Sequence, residues 1–172
     1  TRKESSAASD VYKRQIFILG KGQLLNQSIV SKKPNALFCE AVCPVKVIEI
    51  AEEQFLQLME QSHALTRAVL REYERNLWRM GHQLKNTTGN MQMERKIAAK
   101  LWKLGRDFGV DTEDGVMIDI DLTITLMADL VGAPRENVSR ACKVLTDRGL
   151  IRYGNKRFIL TDSDGLAEFY KM

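Results

Sequence analysis

The stretch that decides the fold is residues 122–151, LTITLMADLVGAPRENVSRACKVLTDRGLI. Its first part has the apolar spacing of a short helix, which we predict from Thr123 to Val131. A Gly-Ala-Pro turn at residues 132–134 separates it from a second helix, predicted from Arg135 to Arg148. Two short helices joined by a tight turn that contains glycine form a helix-turn-helix.

The second helix has an apolar face and a polar face. Apolar residues spaced at i, i+3, i+4 and i+7 should point into the core, and they are Val138, Ala141, Cys142 and Leu145. The opposite face carries Arg135, Glu136, Ser139, Arg140 and Lys143. Because the start of such a helix can enter the major groove of DNA, these polar side chains are placed to reach base edges or phosphates.

The residue types on the polar face suit base recognition. Arg140 can form a bidentate pair with guanine, Glu136 can accept a hydrogen bond from the amino group of cytosine, and Ser139 can bind either kind of base. An alternative for Glu136 is an ion pair with Arg140 one turn later, which would leave Glu136 without a role in recognition. The residues predicted to contact phosphates are Arg135, Lys143, Lys156, Arg157 and Thr123.

A predicted hairpin follows the second helix. β-prone segments from Leu150 to Tyr153 and from Arg157 to Leu160 flank a Gly-Asn-Lys turn, which is the pattern of a wing. The net charge is only +4, but basic residues dominate from Arg135 to Arg157 and acidic residues from Asp107 to Asp129. Such clustering of positive charge indicates a surface for a polyanion, with a solvated charged helix as the alternative.

The elements on either side of this stretch can also be predicted. Helices are expected over Glu52 to Glu60, Ser62 to Asn86, Met91 to Phe108 and Ser163 to Tyr170. Asp111 to Gly115 is expected to be a loop, and the alternation of Val116, Ile118 and Ile120 predicts a strand after it.

The long helix from Ser62 to Asn86 carries an apolar seam. Its members are separated by steps of three and four residues, which is the pattern of a two-stranded coiled coil. They are Leu70, Tyr73, Leu77, Met80 and Leu84. This seam is the predicted interface of a homodimer, and the alternative is that it packs against its own domain.

The chain is predicted to be α+β, with four parts. Residues 1–15 lack an apolar period and are expected to be a disordered tail. Residues 16–60 contain short β-prone pieces that end in a strand over residues 45–50, too few for a self-sufficient sheet, so this domain is expected to be partial. Residues 61–90 hold the long helix and a hinge, and residues 91–172 hold the winged helix-turn-helix.

No catalytic, cofactor or metal site is predicted. Cys39 and Cys43 could be imagined as iron–sulfur ligands, but such clusters need four ligands, and buried structural cysteines are the favoured interpretation. His63 and His82 lack partner ligands at metal spacing. Because no apolar run approaches the roughly 18 residues of a membrane span and the cysteines form no disulfide framework, we expect a cytoplasmic protein. No Ser-His-Asp set, phosphate-binding glycine loop or pair of catalytic carboxylates is evident, so we do not expect an enzyme.

Residues 122–151 resemble the helix-turn-helix of the Crp/Fnr family of bacterial regulators. The similarity is strongest at Ala-Asp-Leu-Val-Gly, residues 128–132, and at Arg-Glu-x-Val-Ser-Arg, residues 135–140, and it extends back to about Lys21. It implies a long dimerisation helix, and a β-roll like that of cyclic-nucleotide-binding domains, of which residues 16–60 would be a remnant. It also implies that Glu136, Ser139 and Arg140 read half-sites of TGA type, and it leaves a contact with RNA polymerase open.

Two positions depart from the members of the family that bind cyclic AMP. Those members carry a Gly-Glu pair and an Arg-Ser pair where the β-roll holds the phosphate, whereas this sequence has Asn26-Gln27 and Asn35-Ala36. Without a guanidinium to neutralise the cyclic phosphate, we expect no binding of cyclic AMP.

The favoured function is therefore a transcription regulator that binds near-palindromic double-stranded DNA as a homodimer. In the alternative, the winged helix is a protein-interaction module, or part of a truncated regulator that no longer binds DNA. Salt separates the two, because binding through several phosphates weakens steeply as ionic strength rises.

Overall fold

The structure is a computed structural model that describes residues 17–25, 28–29, 39–88 and 91–171. For residues 83–88 it describes the backbone only. The chain divides into two compact units. One is Leu19–Gly89, and the other is Asn90–Met172 together with the residues up to Ile18. The predicted tail, the two pairs that depart from the cyclic-AMP binders, and Gly89 and Asn90 of the predicted hinge lie outside the described residues.

Two helices make up most of the first unit. They are α1 (Glu52–Gln61) and α2 (His63–Thr88). Ser62 separates them, and its hydroxyl oxygen accepts a hydrogen bond from the backbone N–H of Leu65 at 3.2 Å. The Thr66 hydroxyl donates back to the carbonyl oxygen of Met59 at 2.6 Å, which fixes the junction between the two helices.

The strand predicted over residues 45–50 is wrong. The residues from Pro44 to Ala51 have no regular secondary structure, and Val47 and Ile48 are 65% and 90% exposed. No strand occurs in the described residues before α1. Alternating apolar residues predict a strand only where another strand supplies hydrogen bonds, and within the described chain these residues have no such neighbour.

The second unit is a winged helix. Its elements are α3 (Met93–Phe108), β1 (Gly109–Thr112), β2 (Gly115–Ile118), α4 (Ile124–Val131), α5 (Arg135–Asp147), β3 (Ile151–Gly154), β4 (Arg157–Leu160) and α6 (Ser163–Lys171). The four strands form one antiparallel sheet in the order β1-β2-β4-β3. This arrangement confirms the predicted α+β class and the C-terminal winged helix-turn-helix.

The core of this unit lies between α3, the helix pair α4 and α5, and the sheet. Fully buried side chains include Ile97 and Leu101 from α3, Met127 from α4, and Phe158 from β4. The end of α3 approaches the sheet closely because Gly105 has no side chain. A Cβ at this position would lie 2.4 Å from a methyl group of Leu160. The core thus fixes the helix pair against the sheet.

Strand β1 was not predicted, because Asp111 and Thr112 fall in the predicted loop and no strand was expected at Gly109 and Val110. All four residues of β1 are exposed, and the strand exists because it pairs along its length with β2, from Gly109 opposite Ile118 to Thr112 opposite Gly115. Gly115 has a φ of +121°, and a Cβ there would lie 2.2 Å from the carbonyl oxygen of Leu160. Only glycine lets β2 start beside β4 in this way.

Candidate DNA-binding surface

The first helix of the pair, α4, has a defined start and a defined end. The Thr123 hydroxyl oxygen accepts a hydrogen bond from the backbone N–H of Leu126 at 3.0 Å, and so caps the start of the helix. Gly132 ends it in the left-handed conformation, at φ 68° and ψ 48°. The N–H groups of Gly132 and Ala133 both donate to the carbonyl oxygen of Ala128, at 2.8 and 3.1 Å, which closes the helix before the turn.

The second helix, α5, separates its faces as the sequence predicts. Val138, Ala141, Cys142 and Leu145 are all buried. The five polar residues predicted to face outward, Arg135, Glu136, Ser139, Arg140 and Lys143, are all exposed. Pro134 is the N-cap of α5, and it makes no side-chain cap hydrogen bond. The first turn of α5 therefore presents polar side chains on a firmly anchored backbone.

The side chain of Arg140 lies along the helix surface. Its Nη2 donates a hydrogen bond to Oδ1 of Asn137 at 2.8 Å, and its Nε donates to the carbonyl oxygen of Glu136 at 3.4 Å. No ion pair joins the carboxylate of Glu136 to Arg140 or to any other residue in the described chain. The carboxylate of Glu136 is therefore free to accept a hydrogen bond from outside.

The predicted wing is present as β3 and β4. Asn155 and Lys156 form its two-residue turn, with φ values of 49° and 60°, which is the type I′ geometry that matches the twist of a hairpin. The carbonyl oxygen of Lys156 accepts a hydrogen bond from the N–H of Leu122 at 2.7 Å. This bond joins the turn of the wing to the chain just before Thr123, the N-cap of α4.

The basic residues of the helix pair and the wing fall into two groups. Arg152 forms an ion pair with Asp114, and Arg157 forms one with Asp119 and reaches Asp121 at 3.4 Å. A further group makes no ion pair within the part of the chain that the structure describes, and it consists of Arg135, Arg140, Lys143 and Lys156. Carboxylates of the acidic segment from Asp107 to Asp129 thus pair with Arg152 and Arg157 of the wing, whereas the cations of α5 have no such partner in the described structure.

The cysteines differ from the prediction. Cys39 and Cys43, predicted to be buried, are exposed, whereas Cys142 is buried. Burial raises the pKa of the Cys142 thiol to about 11, so this side chain is an uncharged part of the core at neutral pH. Among the described residues, no group of three or more histidine, cysteine or acidic side chains could hold a metal ion. No helix in that part of the chain is long and apolar enough to cross a membrane.

Comparison with known proteins explains this arrangement. A model of the Crp-like helix-turn-helix domain matches residues 95–169, the span from α3 to α6. The "CRP-like cAMP-activated global transcriptional regulator" of Mycobacterium tuberculosis is 25% identical over 161 residues, which are 93% of this chain and 71% of the relative. Residues 95–169 are thus a Crp-like helix-turn-helix domain, and the similarity along the rest of the chain is to Crp-like regulators.

Other proteins match smaller shares of the chain. The "Global nitrogen regulator" of Nostoc is 26% identical over 117 residues, which are 68% of this chain and 52% of the relative. Among solved structures, a CooA mutant from Carboxydothermus hydrogenoformans has a TM-score of 0.62 at 18% identity, over 69% of this chain and 54% of that one. A CRP/FNR regulator from Thermus thermophilus has a TM-score of 0.55 at 23% identity, over 63% of this chain and 55% of that one.

The chain therefore spans about half the length of these solved structures. They support the fold. The matching proteins with curated names are transcription regulators, and residues 95–169 match a Crp-like helix-turn-helix domain.

Sequence reasoning missed two sets of polar residues at this surface. Asp119 and Asp121 alternate with the buried Ile118 and Ile120, so the same alternation that predicted a strand also places these carboxylates on the outer side. Asn137 was not assigned a role, although it lies at i−3 from Arg140, a spacing at which helical side chains are neighbours.

Proposed function

We propose that the winged helix binds double-stranded DNA in a sequence-dependent way, with α5 in the major groove. The observation that carries this proposal is the exposure of Glu136, Ser139 and Arg140 in the first turns of a helix whose opposite face is buried. Base-reading groups must be accessible, and the backbone that carries them must be held still. Both conditions are met at the start of α5.

The proposed roles follow from side-chain chemistry. Arg140 binds guanine O6 and N7, Glu136 accepts from the amino group of cytosine, and Ser139 contributes a further contact, which suits half-sites of TGA type. Arg135, Lys143 and Lys156 bind phosphates, since each is exposed and free of an ion pair in the described structure. Arg157 and Thr123 are weaker candidates, because Arg157 is paired with carboxylates and the Thr123 hydroxyl already caps α4.

We further propose that α2 pairs two copies of the chain. One stripe of α2 is buried, and it consists of Val69, Glu72, Asn76 and Arg79. The predicted seam is a different stripe, and Leu70, Leu77 and Met80 in it are 59%, 69% and 48% exposed. Tyr73 is partly exposed, and the side chain of Leu84 lies outside the described residues. An exposed apolar stripe at coiled-coil spacing is what a second α2 helix would cover.

A homodimer of this kind would bind a near-palindrome, with half-sites about one duplex turn apart, roughly 34 Å. Such a protein would act in the cytoplasm, together with the DNA that it binds. A contact with RNA polymerase stays a prediction.

The proposed function is tested with two variants of the full chain and a series of labelled duplexes. Arg140→Ala should flatten the preference for a TGA-type half-site over one in which the guanine pair is replaced, by about 1 to 3 kcal/mol. Lys156→Ala should weaken binding to all duplexes alike, because a phosphate contact carries no sequence information. Equal loss of preference in both variants, or binding by the unaltered chain that ignores both sequence and salt, would contradict the proposal.

We also propose that DNA binding by this chain does not depend on cyclic AMP. The support is the sequence at Asn35-Ala36, where cyclic-AMP binders of the family carry an arginine for the cyclic phosphate. Addition of cyclic AMP should leave the affinity for DNA and the thermal midpoint of the protein unchanged. A ligand that binds the folded chain would raise that midpoint by mass action.

A further inference from the structure

We propose that Asn137 is a positioning residue that determines which edge of the Arg140 guanidinium faces the DNA. The inference rests on the proposed function and deepens it. It starts from the hydrogen bond between Nη2 of Arg140 and Oδ1 of Asn137 at 2.8 Å, between two exposed side chains at i and i+3 on the polar face of α5.

The guanidinium has two edges that can each form a pair of parallel hydrogen bonds. One edge presents Nε–H and one Nη2–H, and the other presents one N–H from each of Nη1 and Nη2. In the structure, Nε donates to the carbonyl oxygen of Glu136 at 3.4 Å and Nη2 donates to Asn137. Groups of the helix itself thus occupy the first edge.

The second edge remains open. Its two N–H groups match the spacing of guanine O6 and N7, which is the pairing proposed for Arg140. A free arginine side chain loses considerable rotamer freedom when it is ordered on a ligand. Because Asn137 already restrains the exposed side chain while Nη1 makes no hydrogen bond in the described structure, part of this ordering precedes DNA binding.

Oδ1 of Asn137 makes no other hydrogen bond in the described structure. Asn137 lies in the first turn of α5, where its own backbone N–H bonds to the carbonyl oxygen of Pro134 at 3.0 Å, so its side chain is not needed to complete the helix start. The carboxamide also carries no charge that would repel phosphates. These properties suit a residue that acts through Arg140.

The test is a double-mutant cycle on the full chain with Asn137→Ala, Arg140→Ala and the double variant. The readout is the ratio of dissociation constants for a duplex with the guanine pair and a duplex in which an A·T pair replaces it. Asn137→Ala should lower this ratio roughly two- to tenfold, the worth of one ordinary hydrogen bond. In the Arg140→Ala background, the same change should have no effect on the ratio.

Asn137→Asp is the conservative variant. It keeps an oxygen acceptor for Nη2 and adds a negative charge, so it should retain the ratio while it weakens binding to both duplexes at low salt. Thermal melting of each variant separates this effect from a loss of helix stability, which would not change the ratio selectively.

Three outcomes would overturn the inference. They are an unchanged ratio in Asn137→Ala, an equal loss in the presence and absence of Arg140, which would mean that Asn137 touches the DNA itself, and a loss in Asn137→Asp as large as in Asn137→Ala. If the unaltered chain shows no preference for the guanine pair, the proposed function fails instead, so the two failures can be told apart.

Discussion

Arg157, the first residue of β4, forms an ion pair with Asp119, which follows β2 in the chain. The same guanidinium reaches Asp121 at 3.4 Å. Its neighbour Lys156 makes no ion pair in the described structure. Two adjacent cations of the wing therefore differ in how much positive charge they offer to DNA.

This difference predicts unequal effects of two substitutions on DNA binding. Lys156→Ala should make the fall of log affinity with log salt shallower, reducing the magnitude of the slope by about one, because one phosphate contact is lost. Arg157→Ala should lower it clearly less, since two carboxylates already compensate that charge. The measurement is a salt titration of binding by fluorescence anisotropy. Equal slopes would mean that Arg157 exchanges its carboxylates for phosphate on binding.

Asp119→Asn provides the complementary change. It removes one partner of Arg157 and one charge that repels phosphates, so affinity at low salt should rise and the salt slope should become steeper by up to about one. The stability of the fold should change by less than about 1 kcal/mol, because Asp119 is exposed and Arg157 is partly exposed, so that solvent screens the pair. A fall in affinity would show that the ion pair is needed to hold the wing in its binding position.

A charge in the seam of α2 should dissociate the dimer. Leu77→Glu would place two carboxylates opposite each other in an apolar interface, so the dimer dissociation constant should rise at least about tenfold. Trp78→Glu is the matched control, because Trp78 is the next residue, is 54% exposed and lies on another face of the helix. Sedimentation equilibrium measures both. Dissociation by the control alone, or by neither variant, would contradict the proposed seam.

The glycine at the start of β2 predicts a large loss of stability. Gly115→Ala should cost about 2 kcal/mol or more, because the new Cβ would meet the Leu160 carbonyl oxygen and φ is +121°. Gly154→Ala is the control, since nothing lies within 4 Å of a Cβ there, and it should change stability by less than about 1 kcal/mol. Urea denaturation gives both values. Similar values would show that β2 and β4 can separate at little cost.

The thiol of Cys142 predicts how stability changes in alkali. Its folded-state pKa is raised from 9.0 to about 11 by burial, so the unfolded chain loses the proton first as pH rises. The stabilisation is complete below pH 9 and is lost as pH rises from about 9 to 11, at up to roughly 1.4 kcal/mol per pH unit. Urea unfolding of the wild-type chain and of Cys142→Ala at pH 8 and pH 10 isolates this contribution, which the variant lacks.

Thiol labelling supplies an independent check of the same burial. Cys39 and Cys43 are exposed and should react rapidly with a chromogenic disulfide at pH 8. Cys142 should react only at the rate at which the core opens. If all three thiols react at the same fast rate, the core around α5 is open to the reagent.

The helix pair could be predicted from sequence because its signals are local. The apolar spacing of Val138, Ala141, Cys142 and Leu145 requires only that α5 packs on something, and all four are buried. The turn at Gly132 and the wing turn at Asn155 likewise adopt conformations that their own residue types favour. The exposure of Glu136 and Arg140 follows from the same helical geometry.

The features that sequence reasoning missed depend on distant partners. β1 is formed by exposed residues that become a strand only beside β2, whereas Val47 and Ile48 have a strand-like pattern without a partner strand in the described chain. The pairing of Arg157 with Asp119 spans 38 residues. Neither propensity nor periodicity reports such contacts, because they arise from the packing of the whole unit.

The turn of the wing has a consequence for how this hairpin could change. Lys156 adopts a φ of 60°, a conformation that costs a residue with a side chain about 1 kcal/mol relative to glycine. An Asn-Gly turn would close the same hairpin without that strain, but it would have no ammonium group to offer. At position 156, stability of the hairpin thus favours glycine, whereas affinity for a polyanion favours lysine. Among related proteins, the residue at this position should reflect which of these two properties matters more.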